Sequence, residues 1–480
     1  MTFDEMASDA ASYLERHMRC SKHHVEHTGS NCYLLDFYEY LGEREKGKEF
    51  VGYLLQRIVK DGGKFIFYPG LLDPMNMSNN VIDCGSAVDA LSRYLMRNRS
   101  LFTSDEHMHF TEQLRSVVDT YLAEAARDKP LTNQRLWGLT GVASFAKYAG
   151  EEGRFHELAR ASIEQAFADM TADGFFRYYP DARVHGAFEG YDGITAFYQS
   201  RCSSFIRYSI KALNMDGSPY EKRLAAADRA LLAMYTTDGT KDLRLECKRW
   251  YWQSPYEVAS AGFDAYALAA SAVPEAKSAL HNLLYQVRRH FFDGYLHSHI
   301  GLPVNFQCPI FWTAHLAWML RVQHIDETFS AAERLSPFAY ALNGKEIFTD
   351  TSASRRILVN ARWQERNPTV GVFENGLEGR FLWRLSFPRF PPSFFVSVRE
   401  TGNHVWVALR GLHIKEALLR CARFAKECAV MLLPRYSTRY GKVDSFTVGE
   451  HEVTVVVSPA SKYGTLLKTH QCVIIPLSRI

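Results

Sequence analysis

The longest apolar runs in this 480-residue chain, such as the one around Val430 to Leu433, are short and broken by charge. None approaches the roughly 18 residues that a membrane-crossing helix needs, so the chain is expected to have no membrane span. An excess of one charge is also missing. Lys and Arg number 56 against 53 Asp and Glu, whereas a dedicated nucleic-acid binder would be strongly basic. Nor is there a cysteine framework. Nine cysteines, Cys20, Cys32, Cys84, Cys202, Cys247, Cys308, Cys421, Cys428 and Cys472, are odd in number and irregularly spaced, which fits buried thiols in a reducing compartment better than a stapled scaffold. The opening MTFDEMASDAASYLERHM carries acids at helical spacing where an export signal would be basic and then apolar. The cytoplasm is the expected location. G-x-x-x-x-G-K-[ST], a post-strand G-x-G-x-x-G, G-x-S-x-G and H-E-x-x-H are all absent, which argues against nucleotide hydrolysis, Rossmann redox chemistry, serine esterases and zincin proteases.

What the chain does have, up to about Leu335, is apolar residues recurring at helical spacing, as with Val88, Leu91 and Leu95, then Leu114, Val117, Val118, Tyr121 and Leu122. The pattern predicts helices over 3–18, 32–44, 47–60, 83–97, 104–126, 132–148, 152–170, 195–213, 218–236, 256–271, 275–290 and 308–323. They fall in pairs with short connections and show no fixed repeat, so a closed ring of helical hairpins fits better than a regular solenoid. Beyond Leu335 the runs RRILVNARW, GRFLWRLSF, PSFFVSVRE, GNHVWVALRG, AVMLLP and EHEVTVVVSP are β-branched, aromatic and divided by turn residues. Two domains follow: a helical one over 1–335 and an antiparallel β domain over 336–480. The charge divides at the same place, with 20 Lys and Arg against 11 Asp and Glu in 338–480 and 36 against 42 before it. A basic domain beside an acidic one could help draw in a polyanion.

The chemistry-bearing residues cluster in segments that precede helices. In DGFFRYYPDARVHGAFEGYDGITAFYQSRCSSF, His185, Tyr191, Tyr198 and Arg201 offer an acid, a base and a cation, the set needed to remove a proton α to a carboxylate and protonate a leaving oxygen. Tyr198 and Arg201, three apart, share one helical face. CKRWYWQSPYEVASAGFDAY places Arg249, Trp250, Tyr251 and Tyr256 before another helix; sugar faces stack on the rings while the cations reach carboxylates or sulfates. PGLLDPMNMSNNVIDCGSAVDAL brings Asn76, Asn79, Asn80 and Asp83, and DGYLHSHIGLPVNFQCPIFWTAHL brings His297, His299, Asn305, Gln307, Trp312 and His315. Asn and Gln amides can offset the charge that develops as a substrate α-proton leaves. The run CSKHHVEHTGSNC gathers Cys20, His23, His24, His27 and Cys32 but meets no recognised zinc spacing, so a solvated histidine-rich turn is the better reading. No metal or cofactor is called for.

This layout, helical hairpins followed by antiparallel β structure, together with the Asp-Gly-aromatic opening DGFFRYYPDARVHGAFEGYDGITAFYQSR, resembles the polysaccharide lyases of the alginate lyase and heparinase II/III type. Phe175 stands where that family's opening carries Ser. The resemblance implies an α+β multidomain fold, an incomplete (α/α) toroid of hairpins with an antiparallel β-sheet or sandwich domain. It also implies cleavage of a uronate-containing polysaccharide or oligosaccharide by β-elimination. By that resemblance His185 or Tyr191 acts near the sugar C5 proton and Tyr198 is base or acid. Asn79 or Asn80 and Arg201 neutralise the uronate carboxylate, and Arg249, Trp250, Tyr251, Tyr256, His297 and His299 bind sugar. Two other readings stay open at this point. One is an (α/α) toroid glycoside hydrolase, which needs paired carboxylates from among Asp83, Asp192, Glu257 and Asp264. The other is a non-catalytic glycan-binding or assembly protein of capsule or exopolysaccharide synthesis.

Overall fold

Helices form where apolar residues recur every three or four positions, and they end where the sequence supplies a stop. In the computed structural model the described residues are 1–19, 28–68, 80–178, 198–235, 239, 241, 260–297, 307–343, 347–351, 355–360, 369–374, 380–384, 409, 414, 418, 421, 422, 425, 441–448, 452–459 and 471–476. The first part comprises α1 (Phe3–Arg19), α2 (Thr28–Asn31), α3 (Leu34–Tyr40), α4 (Arg44–Leu55), the hairpin β1 (Ile58–Asp61) and β2 (Lys64–Phe67), α5 (Asn80–Arg97), α6 (Ser104–Val117), α7 (Ala123–Asp128), α8 (Thr132–Ala149) and α9 (His156–Ala168). It continues with α10 (Gln199–Ala212), α11 (Glu221–Leu232), α12 (Ala261–Ala269), α13 (Ala276–His290), the small hairpin β3 (Phe291–Phe292) and β4 (Tyr295–Leu296), α14 (Gln307–His315), extended by a 3-10 stretch Leu316–Arg321, and α15 (Ile325–Ala331). Local signals explain the boundaries. Thr103 opens α6 with a capping box, its hydroxyl accepting from the Glu106 N–H while its own N–H donates to the Glu106 carboxylate at 2.7 Å. Gly150, at φ +70, ends α8 in the left-handed region.

The buried helices touch one another in a series that returns to its start: α2 on α5, α5 on α8, α8 on α10, α10 on α12, α12 on α14 and its extension, and α14 on α2. They also run the same way. A Cβ at Gly138 would lie against Val81 and one at Gly141 against Gly85, while Ser144 donates to Asp89, so positions rise together along α5 and α8. Trp137 meets Phe205 and Ser144 meets Tyr208 on the next pair. Further round, Gly262 abuts His315 and Tyr266 abuts Trp318; Gly29 bonds Asp83 and Tyr33 approaches Ser86. The starts of α2, α5, α8, α10, α12 and α14 therefore share one end. Glycine allows the closest approach, since a Cβ on Gly85 would sit 2.6 Å from the Trp137 carbonyl oxygen and one on Gly141 2.9 Å from Gly85. α7 and α9 pack on α8, α11 on α10, α13 on α12, and α1 on α14.

Beyond Leu335 the described strands are antiparallel. β5 (Tyr340–Asn343), β6 (Ile347–Thr351), β7 (Arg355–Asn360), β8 (Thr369–Glu374) and β9 (Arg380–Arg384) form one sheet in sequence order, and β10 (Gly441–Val448), β11 (Glu452–Pro459) and β12 (Gln471–Pro476) form another. Meanders of this kind need only short turns between neighbours.

Several expectations are corrected. The helix expected over 47–60 stops at Leu55, because Ile58–Asp61 pairs with Lys64–Phe67 around Gly62 and Gly63, both at positive φ. α15 and the β3–β4 hairpin were not foreseen. In the region expected to be β throughout, Leu409, Ile414, Leu418, Cys421, Ala422 and Ala425 are helical. The run GNHVWVALRG was expected as a strand through Leu409; the sequence that follows is rich in Ala, Leu, Lys, Glu and Arg with apolar residues three and four apart, which favours helix over the alternation of a strand.

Candidate functional site

Four segments that carry the polar and aromatic candidates end at the shared end of the parallel helices: 69–79 runs into Asn80 of α5, 179–197 into Tyr198 before α10, 242–259 into Ser260 before α12, and 298–306 into Gln307 of α14. Partial positive charge from the helix starts accumulates there. Arg201 is wholly buried in the first turn of α10. Its guanidinium carbon is 5.0 Å from the Phe263 ring centre, 5.3 Å from those of Tyr198 and Phe311 and 5.6 Å from that of Trp137. One Nη lies 3.4 Å from His315 Nδ1. Cation–π attraction is strongest where water is excluded, so α8, α12 and α14, with Tyr198 just before α10, deliver four rings and an imidazole onto one permanent positive charge.

The ends of the preceding segment are tied at the same place. Tyr178 and Tyr198 stack at 5.4 Å, and Gln199 accepts from the Phe176 N–H while donating to the Gly174 and Ala227 carbonyls. Gly174 has φ +88 and no room for a Cβ, which would fall 2.3 Å from the Ala226 carbonyl oxygen; this is the glycine of the Asp-Gly-aromatic opening. A second clasp joins α2 and α5. The Gly29 N–H donates to buried Asp83 at 2.6 Å, and Arg57 donates to Thr28, Tyr53 and the Tyr68 carbonyl. Burial pushes the Asp83 carboxyl up to about 7 against the pull of the Gly29 N–H and Arg57.

Further along the helices a buried ionic network closes the series. Arg93 pairs with Asp36 and Asp89, Arg321 donates to Asp89 at 2.7 Å and lies over the Trp318 ring at 3.7 Å, and the Ser144 hydroxyl donates to Asp89 at 2.6 Å. Burial alone would raise the Asp89 carboxyl, but Arg321, Arg93 and Ser144 hold it at about 2. The middle is filled by Tyr33, Ser86, Trp137 and Trp318, with the Trp137 N–H donating to Ser86 at 2.7 Å and the Trp318 N–H to Tyr33 at 3.3 Å.

Of the residues singled out from sequence, Tyr198 and Arg201 are brought together, and buried Asn80 opens α5, its Oδ1 accepting from the Cys84 thiol. His297 is described elsewhere: it stacks on Phe292, lies 3.8 Å from the Tyr295 ring and shares a hydrogen bond with the Phe292 carbonyl. His185, Tyr191, Asn79, Arg249, Trp250, Tyr251, Tyr256, His299, Asp192 and Glu257 lie outside the described residues, as do Cys20, His23, His24 and His27. Asp264 is fully engaged, accepting from the Tyr235 hydroxyl at 2.7 Å and Lys241 at 2.8 Å, which marks it as a structural carboxylate. Sequence reasoning missed Trp137, Phe263 and Phe311 around Arg201, and the whole Asp36, Asp89, Arg93, Arg321 network. A signal for the latter existed, since Asp89 and Arg93 are four apart inside an apolar helix. Among the described residues no group of His, Cys, Asp and Glu could hold a metal, and no helix is long and apolar enough to cross a membrane. No protein family, curated protein or solved structure matches the chain.

Proposed function

We propose that this protein is a carbohydrate-active enzyme of (α/α)-toroid architecture, with a β-sheet or sandwich domain, that cleaves a uronate-containing polysaccharide or oligosaccharide by β-elimination. The observation that carries the reading is the common end of the parallel helices, where Tyr198 lies over a buried cation and where the helix starts follow, in sequence, four segments rich in Asn, His, Trp, Tyr and Arg. An acidic sugar needs such an end: positive potential for its carboxylate, amides to hold it, and flat rings for its faces.

In this reading Asn79 or Asn80 binds the uronate carboxylate, which acidifies the C5 proton. Arg201, wholly buried, contributes its charge from behind Tyr198 through a poorly screening interior. His185, Tyr191 or Tyr198 removes the C5 proton, the C4–O bond breaks as the C4=C5 double bond forms, and a tyrosine hydroxyl protonates the departing oxygen. Arg249, Trp250, Tyr251, Tyr256 and His299 hold neighbouring sugars. A hydrolase is the second reading, favoured by Asp83, whose carboxyl is pushed up to about 7 at the same end and could serve as a proton donor; Asp264, tied to Lys241 and Tyr235, would not be its partner.

The test is a panel of uronate polysaccharides followed by the ultraviolet absorbance of unsaturated uronate ends, with reducing ends assayed in parallel. Elimination should produce both signals, and Tyr198→Phe should abolish them with the thermal midpoint unchanged. Reducing ends without the absorbance would replace the lyase with the hydrolase; binding with neither signal would point to a glycan-binding role.

A further inference from the structure

Asn133 is the second residue of α8 and 2% exposed, and its buried amide oxygen accepts no hydrogen bond. A buried polar group left unpaired costs stability, so each one in a folded protein needs an explanation. The hydroxyls of Ser92, Ser162 and Ser209 also lack partners, but a serine inside a helix can turn its hydroxyl to a carbonyl of the preceding turn. No helical turn precedes Asn133. Its direction is set by the helix. Trp137 and Ser144, which reach Ser86, Phe205, Asp89 and Tyr208 across the middle of the series, lie within about 40° of Asn133 around α8, and helical side chains lean towards the N-terminal end. Asn133 therefore continues this inward stripe about 6 Å beyond Trp137, towards the shared end of the helices. Trp137 is itself one of the rings around Arg201. The electrostatics point the same way. Neither α8 nor α10 has an acidic residue in its first turn or a side chain capping its start, so the partial positive charge of both starts is uncompensated by their own sequence.

We propose that Asn133 is a ligand contact of the acidic-sugar site: its amide hydrogen-bonds a hydroxyl of a uronate unit whose carboxylate faces the starts of α8 and α10. An amide suits a hydroxyl, which donates to its oxygen and accepts from its nitrogen, and paired helix starts suit a carboxylate. The inference rests on the acidic-sugar reading of this end but not on elimination, so it holds equally for a lyase, a hydrolase or a glycan-binding protein.

The experiment is calorimetric titration of the full chain with oligosaccharides of galacturonate, of mannuronate with guluronate, and of glucuronate with N-acetylglucosamine, and with oligosaccharides of glucose as the neutral probe. The wild type is expected to bind at least one uronate series and not the glucose series. Asn133→Ala should weaken that binding about tenfold, and Asn133→Asp, which sets a carboxylate against the ligand's own, should weaken it further. Without ligand, the thermal midpoint of Asn133→Ala should be no lower than that of the wild type, because the deleted amide oxygen makes no hydrogen bond in the free protein. Undiminished uronate binding by either variant would overturn this inference alone. A fall in the midpoint of Asn133→Ala that accompanies its loss of binding would do so too, by making Asn133 a structural residue. Binding of no uronate series, or of the glucose series as tightly, would overturn the acidic-sugar reading and this inference with it.

Discussion

Asp89→Asn keeps the side-chain volume and removes one charge from the network that closes the helical series. Four hydrogen bonds converge on Asp89: Arg93 Nε at 3.0 Å and the Ser144 hydroxyl at 2.6 Å on Oδ1, Arg321 at 2.7 Å and a second Arg93 nitrogen at 3.4 Å on Oδ2. With Asn in place, an amide NH2 faces guanidinium donors, and Asp36 alone must answer two buried arginines, one of them 4.0 Å away. The shift of the carboxyl from 3.8 to about 2 corresponds to about 2 kcal/mol of preferential stabilisation of the charged form. Stranding a buried guanidinium raises the expected loss to about 3–5 kcal/mol. Urea denaturation of the two proteins at neutral pH measures it, with Glu164→Gln, which breaks the solvent-facing pair with Arg223, as a control expected to fall within about 1 kcal/mol. The sign of the pH dependence is set as well. A carboxyl whose folded value is depressed stabilises fully above its unfolded value near 4 and loses that contribution as pH falls towards 2, so the gap between wild type and variant should narrow on acidification. A neutral-pH loss no larger than that of the control, or a gap that widens in acid, would refute the claim that these charges hold the helices together.

Gly85→Ala should destabilise by about 1–3 kcal/mol in urea, because its Cβ would lie 2.6 Å from the Trp137 carbonyl oxygen and α5 and α8 would have to separate. For Asp83 the sign is opposite to Asp89. Its folded carboxyl is raised to about 7, so its contribution is full below about 4 and is lost as pH rises to about 7; Asp83→Asn, which can still accept from the Gly29 N–H, should therefore gain thermal midpoint relative to wild type between pH 5 and pH 8, and an unchanged difference over that range would remove Asp83 as a titrating group.

The helical half was legible because its folding signal is local. A stripe such as Val88, Leu91 and Leu95 needs only one helix to be recognised, and the expected spans fall within a few residues of α5, α8, α10 and α13. The exceptions share a cause. β1 has an exposed outer face and only Ile58 half-buried at its start, so it shows no alternation, and a helical pattern running in from Phe50 and Leu54 overruns it. The helical residues Leu409, Ile414, Leu418, Cys421, Ala422 and Ala425 were hidden differently: the β-branched and aromatic residues just before Leu409 carry a strand's signal.

The site was legible only in its outer parts. Segments between helices advertise themselves by composition, which is why Tyr198, Arg201, Asn80 and Asp83 could be picked from sequence and all prove to lie at or near helix starts. What surrounds Arg201 is of another kind: Trp137 is 64 residues before it, Phe263 is 62 after it and Phe311 is 110 after it. Each of those rings belongs to its own helix's apolar stripe and carries no mark of a shared partner. Only the parallel arrangement, which stacks the first turns of successive helices at one level, turns separate core positions into a wall around one cation. The same logic covers Asp89 and Arg93. A charge pair four residues apart inside an apolar helix cannot face water without exposing the stripe beside it, so it must be met by other buried charges, here Asp36 and Arg321. Sequence therefore announces that such a network exists, and only the circuit of helices says which distant residues complete it.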